Sequence, residues 1–218
     1  NLAIIKDVVE QIMESGFNGI FLVAANPVDI LTYAVLKISG FPKERVISSG
    51  TSLDSARFSD EIARYLNLDA RDVYANIMGE HGDTSFPVWS NASIGGRHID
   101  LWLAERTDDV DAAKEKIYTD VRDKAYRIID TKGATYYGVA TVLAKICRII
   151  IEDSHSIIAL GAYMDGEYGC NDIYLGTPCV LSRSGIQKII EVPLTDEEKE
   201  KMQISYKAVK EVQDEGMA

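Results

Sequence analysis

The sequence predicts an α/β protein that opens with half of a doubly wound parallel sheet and continues in α+β style. Three observations carry this. A continuous apolar run, Ile20–Ala25, follows an amphipathic helix, as suits a strand covered on both faces. Helix and strand then alternate as far as Ser49. Beyond that point strands and helices mix without strict alternation.

In order, residues 1–13 place Leu2, Ile5, Val9, Ile12 and Met13 on one helical face. Gly16–Gly19 breaks that helix before the apolar run. Asn26-Pro27-Val28-Asp29 stops the run, and Ile30–Ser39 returns to helical spacing. Val46–Ser49 reads as a short strand. Thr51, with Asp54 three residues on, suits the start of the next helix, its hydroxyl acting as cap. Residues 74–78 read as one strand and Phe86–Ile99 as a hairpin around Gly95-Gly96. Two long helices follow, Asp111–Thr131 and Thr135–Ile151, the second less polar and so expected to be the more buried. Ser156–Met164 and Ile173–Ser182 are strands flanking a turn-rich segment, and Ile186–Glu191 is another strand. Thr195-Asp-Glu-Glu198 is a capping box opening a charged final helix.

The composition excludes several function classes. A net charge of −11 with scattered Lys and Arg argues against nucleic acid. Cys147, Cys170 and Cys179 show no C-x-x-C spacing, which points to buried or incidental thiols in a reducing compartment. No apolar run reaches membrane-spanning length, so the expectation is a cytoplasmic protein without membrane contact. The three histidines have no metal-ligand spacing, and no metal site is expected. The first residue is Asn, and the helix there reads as already under way; the expectation is that sequence before it is missing.

Chemistry concentrates in two stretches. Gly79-Glu80-His81-Gly82-Asp83-Thr84 delivers a histidine into a glycine-flanked turn, where the backbone bends sharply and approaches a ligand closely. Histidine exchanges a proton near neutrality. Asp54 and Arg57, three apart on a helix, share a face. Such a pair reads either as a weak surface ion pair or as two tools. The carboxylate orients an imidazole, and the guanidinium grips a substrate carboxylate through two parallel bonds. Asn26, at the C-terminal end of its strand, occupies the place where open α/β sheets bind ligands, or else simply forms a turn before Pro27. His98 and His155 read as solvated loop residues, and Trp89 and Trp102 as core and interface.

Ala25-Asn26-Pro27-Val28-Asp29, Gly50–Phe58, Gly79-Glu80-His81-Gly82-Asp83 and Lys132-Gly133-Ala134-Thr135 together resemble the bacterial L-lactate dehydrogenases of the NAD-dependent lactate/malate dehydrogenase family, lacking the N-terminal third. The resemblance implies the C-terminal half of a Rossmann-type parallel sheet (residues 1–48, the remnant of a dinucleotide-binding domain). An α+β catalytic and substrate domain follows (residues 49–218). It also implies NAD as cofactor, pyruvate and lactate as substrates, and a homotetramer. Under it, His81 exchanges the proton with the substrate oxygen, Asp54 orients His81, and Arg57 binds the substrate carboxylate. Asn26 lies near the nicotinamide and the reacting oxygen, Thr135 lines the substrate pocket, and Ser49 and Val139 contact the nicotinamide end.

Three departures qualify that picture. No G-x-G-x-x-G follows a strand in this chain. In the family that motif, the mobile active-site loop and its arginine come earlier, so the 218 residues alone are expected not to turn over. Where many bacterial relatives bind fructose 1,6-bisphosphate with a basic residue and a histidine, this chain has Ser59 and Tyr74, and an enzyme not activated by that effector is expected, unless Arg64 or Arg71 compensates. A malate or 2-hydroxyisocaproate dehydrogenase, or a non-catalytic chain, are the competing expectations.

Overall fold

An amphipathic helix, α1 (Leu2–Glu14), precedes β1 (Phe21–Val23), and a cis Asn26–Pro27 bond leads into α2 (Val28–Ser39). β2 (Val46–Ser48) pairs with β1 in parallel, with Leu22 opposite Ile47. This is the α/β half foreseen from the apolar runs. The computed structural model describes residues 2–132 and 136–217, with side chains for 2–123 and 136–216.

Helix α3 (Ser52–Leu66) starts beside the end of β2. Next come β3 (Val73–Tyr74), β4 (Ile77–Met78), β5 (Phe86–Pro87), β6 (Ser93–Ile94) and β7 (Arg97–His98), and then α4 (Ile99–Leu103). The long helices α5 (Val110–Lys132) and α6 (Tyr137–Glu152) follow. The chain ends with β8 (Ser156–Asp165), β9 (Asn171–Ser182), β10 (Gly185–Ile189) and α7 (Asp196–Met217).

One five-stranded sheet runs β1-β2-β8-β9-β10. The parallel β1–β2 pair continues into an antiparallel meander, because Ser48 sits opposite Gly161 of β8. A side chain at Gly161 would place its Cβ 1.9 Å from Ser48 Oγ, so the Ser48 hydroxyl keeps its place because residue 161 is glycine. Three apolar clusters surround the frame. One centres on β8, β9, α6 and α7, a second on α3, α5 and the small strands, and a third packs α1 and α2 on β1 and β2.

Several elements differ from expectation. Residues 74–78 are two strands in two sheets: β3 pairs with β6, while β4 pairs with β5. The hairpin shrinks to β6 and β7 around Gly95-Gly96, both at positive φ, and residues 99–103 coil into α4. Helix α6 buries only a stripe of Val142, Ile146 and Ile149, with Tyr137 and Ile151 exposed, so its apolar composition is not matched by burial. The box at residues 195–198 forms as expected: Thr195 N donates to Glu198 Oε2 at 2.9 Å and Glu198 N to Thr195 Oγ1 at 3.2 Å. Glu198 also receives Ser90 N and Ser90 Oγ, tying the start of α7 to the segment after β5.

Thr51 precedes α3, but its hydroxyl makes no capping bond. It is fully buried against Gly176 of β9, and its oxygen has no hydrogen-bond partner among the described residues. A Cβ on Gly176 would lie 2.4 Å from Thr51 Oγ1 and 2.5 Å from Cγ2. The Gly176→Ala variant is therefore expected to lose about 1–3 kcal/mol through overpacking. Adding Thr51→Ala should recover part of that loss, whereas strictly additive denaturation midpoints would sink this account.

Candidate active site

β4 runs directly into the histidine loop. Gly79 leaves the strand at φ 93° and forms a two-bond bridge with β9: Gly79 N to Gly176 O at 3.0 Å, and Gly176 N to Gly79 O at 2.7 Å. On the far side of the loop, Ser205 of α7 donates to Thr84 O at 2.6 Å. With both ends anchored, His81 is carried to the first turn of α3. Its Nδ1 lies 2.8 Å from Asp54 Oδ2. The other oxygen of Asp54 lies 3.8 Å from Arg57 Nη1. Only 14% of the Arg57 side chain is exposed, against the surface-pair reading.

These three residues line one pocket of about 340 Å³ together with Asn26, Leu53, Tyr118, Arg122 and Val139. Tyr118 donates its hydroxyl to Ser85 O at 2.7 Å, and burial pushes its pKa up. Ser49 lies outside the pocket lining, at the end of β2, where its N–H reaches Val23 O. Thr135 falls outside the described residues. His98 is half-buried and caps α4, its Nδ1 accepting Asp100 N at 3.2 Å, so it is not the solvated loop residue expected. Among the described residues, no group of His, Cys, Asp and Glu is placed to hold a metal ion.

Nothing in the local sequence singles out Asp29. This residue sits in the first turn of α2, only 3% exposed, and its Oδ2 accepts the His81 backbone N–H at 2.8 Å. Leu53, Tyr118 and Arg122 were also missed; nothing in their local sequence marks them, since the fold alone brings α5 over α3.

The site's electrostatics favour a protonated histidine. The hydrogen bond to Asp54 raises the His81 pKa above its ordinary 6.5. Burial and Arg57 oppose this, while the charges of Asp54 and Asp29 add to it. Burial pushes Asp29 from 3.8 to about 7, against the pull of the His81 N–H and imidazolium. A group whose folded pKa is raised contributes stability below its unfolded pKa and loses it as pH rises through the folded value. For His81 the loss therefore begins above 6.5. In Asp54→Asn the charge is gone, and an amide oxygen holds the imidazolium N–H less firmly than a carboxylate does, while burial remains. The His81 midpoint measured by NMR is then expected to fall. An unchanged midpoint would contradict the assigned cause.

Comparison with known proteins sets this geometry in context. Residues 51–218 match the lactate/malate dehydrogenase α/β C-terminal domain, and residues 1–48 match the lactate/malate dehydrogenase NAD binding domain. The chain is 58% identical over 212 residues to an L-lactate dehydrogenase of Lacticaseibacillus casei, covering 97% of this chain and 65% of that protein. It is 56% identical to L-lactate dehydrogenase 1 of Enterococcus faecalis, again covering 97% of this chain and 65% of the relative. This chain thus spans about two thirds of the length of these curated relatives. Among solved structures, a lactate dehydrogenase from a Medee basin deep-sea metagenome library superposes with a TM-score of 0.94 at 43% identity, over 98% of this chain and 68% of that one. The malate dehydrogenase of Aeropyrum pernix gives 0.89 at 34% identity, over 98% and 68%. Matched in order along both segments, the chain belongs to the lactate/malate dehydrogenase family.

Proposed function

We propose that the protein carrying this chain is an L-lactate dehydrogenase, reducing pyruvate to L-lactate with NADH and running the reverse reaction. The observation that carries this reading is one carboxylate serving two groups in one pocket: Asp54 lies 2.8 Å from His81 and 3.8 Å from Arg57. The curated relatives above half identity carry lactate dehydrogenase names, which favours lactate over malate.

Each residue then has a physical task. Arg57 holds the substrate carboxylate with a planar fork, and so turns the carbonyl toward His81. His81, its Nδ1 occupied by Asp54, uses Nε2 to give a proton to the carbonyl oxygen in reduction and to take it from the hydroxyl in oxidation. Asp54 fixes the ring and stabilises the imidazolium. Asn26 offers an amide, and Leu53 and Val139 an apolar wall; this donor set fits the nicotinamide end of NAD. Bound there, the reduced nicotinamide supplies the hydride. Ser49 and Thr135 keep their roles at the nicotinamide and the substrate as part of this proposal.

A cytoplasmic setting and a homotetramer also belong to the proposal. Among the described residues, no helix is long and apolar enough to cross a membrane. Exposed Ile4 and Val8 on α1, and Tyr137 and Ile151 on α6, offer apolar surface for a second copy.

In the protein carrying this chain, His81→Asn should lower pyruvate-dependent NADH oxidation by about 10²–10⁴-fold. Arg57→Lys should raise the pyruvate KM by about 10–100-fold, since the fork is lost. Retained rates in His81→Asn, or oxaloacetate preferred to pyruvate by the unsubstituted protein, would overturn the proposal.

The effector expectation gains support from side-chain pairing. Ser59 Oγ contacts the backbone O of Ala75, beside Tyr74. Arg64 is paired with Glu61, and Arg71 with Asp69 at 2.6 Å, so each guanidinium already has a carboxylate. Fructose 1,6-bisphosphate is expected to leave the pyruvate KM within about twofold of its starting value. A several-fold fall would refute this.

A further inference from the structure

We propose that Asp29 is a positioning residue for His81, a buried carboxylate behind the histidine that fixes its backbone and adds a second negative charge to the one Asp54 supplies. The inference rests on the reading of His81 as the proton carrier. Asp29 and His81 lie far apart in sequence yet meet at 2.8 Å through the His81 main-chain N–H. Because the contact is to the backbone, Nδ1 stays with Asp54 and Nε2 stays available.

A purely structural role does not account for the residue type. The loop is already held at Gly79 by the bridge to Gly176 and at Thr84 by Ser205. An asparagine would accept the same N–H without the cost of burying a carboxylate. Asp29 is 3% exposed, and its buried Oδ1 has no hydrogen-bond partner among the described residues. Among the described residues, no lysine or arginine pairs with it. What distinguishes Asp from Asn at this place is charge, and the cation able to use that charge is the His81 imidazolium.

The charged groups around the histidine set the direction. Asp54 and Arg57 face it from α3, Asp29 from α2, and Glu80 lies next to it on the same loop, acting on Asp29. Ionised Asp29 and Asp54 hold the proton on His81, and Arg57 works against them. Asp29 itself loses its proton near 7. Its charge thus appears over the range where an isolated histidine would be losing its own proton. Each proton loss makes the other harder, and the two groups titrate as a linked pair. The result is a histidine that keeps its proton further into the alkaline range than Asp54 alone would allow.

The test is an NMR pH titration of the protein carrying this chain, with the His81 signal identified by its loss in His81→Asn. Asp29→Asn should lower the His81 midpoint by about half a pH unit or more, with the fold unchanged by circular dichroism, and Asp29→Glu should restore part of it. In the unsubstituted protein, the Asp29 carboxyl carbon shift should move with a midpoint near 7 as Asp29 ionises. An Asp29→Asn midpoint within about 0.1 of the original, or a carboxyl shift that stays flat between about pH 5 and 9, would overturn the proposal. If Asp29→Asn does not fold, the carboxyl titration of the unsubstituted protein decides alone. None of these readings needs turnover. Failure of pyruvate reduction alongside the expected shifts would sink the reaction assignment and leave this one standing.

Discussion

The arrangement depends on the backbone bridge between Gly79 and Gly176. Its two bonds, 3.0 and 2.7 Å, fasten the end of β4 to the middle of β9. Gly176 also admits Thr51, whose side chain occupies the space a Cβ would take. One position on β9 therefore locates both the strand that delivers His81 and the start of the helix that delivers Asp54 and Arg57. Gly79 contributes in two ways. It turns at φ 93°, and a Cβ there would meet Ser205 Oγ at 2.4 Å. A side chain at either glycine would push the loop or the helix aside, and a misplacement of about 1 Å in such a site is costly.

That constraint explains which parts were legible in the sequence. The amphipathic stripe of α1 and the apolar run of β1 are local patterns with one period each, and both formed where expected. The capping box formed because its two residues are only three apart and each satisfies the other. Thr51 looked like a cap by the same rule, yet its hydroxyl lies against β9, a partner more than a hundred residues away that no local rule can see. Likewise, the run 74–78 reads as one strand by composition. The chain crosses from one small sheet to another at Ala75-Asn76, a choice made by long-range pairing with β6 and β5.

The site was legible through motifs rather than through periodicity. Asp54, Arg57 and His81 stand in stretches whose residue types already suggest proton transfer and carboxylate binding. Asn26 and Val139 join them in the pocket lining, while Ser49 does not. Asp29 escaped notice because an acidic residue in the first turn of a helix is ordinary by itself, favoured there by the helix dipole. Its meaning comes from burial and from a backbone N–H supplied by a loop distant in sequence. Leu53, Tyr118 and Arg122 show the same limit: they line the pocket because α3 and α5 pack together, not because of any local signal.

The charge distribution around His81 also orders the events that the site can support. Asp54 divides its two oxygens between His81 and Arg57. A protonated His81 and Arg57 are then two cations beside one carboxylate, and Arg57 opposes the proton that Asp54 favours. Under the proposed reaction, an anionic substrate would meet both cations in the protonation state that reduction requires. In the proposed oxidation the site would start instead from a neutral histidine, which receives the proton that the hydroxyl gives up. His81 and Arg57 share a single carboxylate only because the fold brings α3 and the histidine loop within one hydrogen bond of each other.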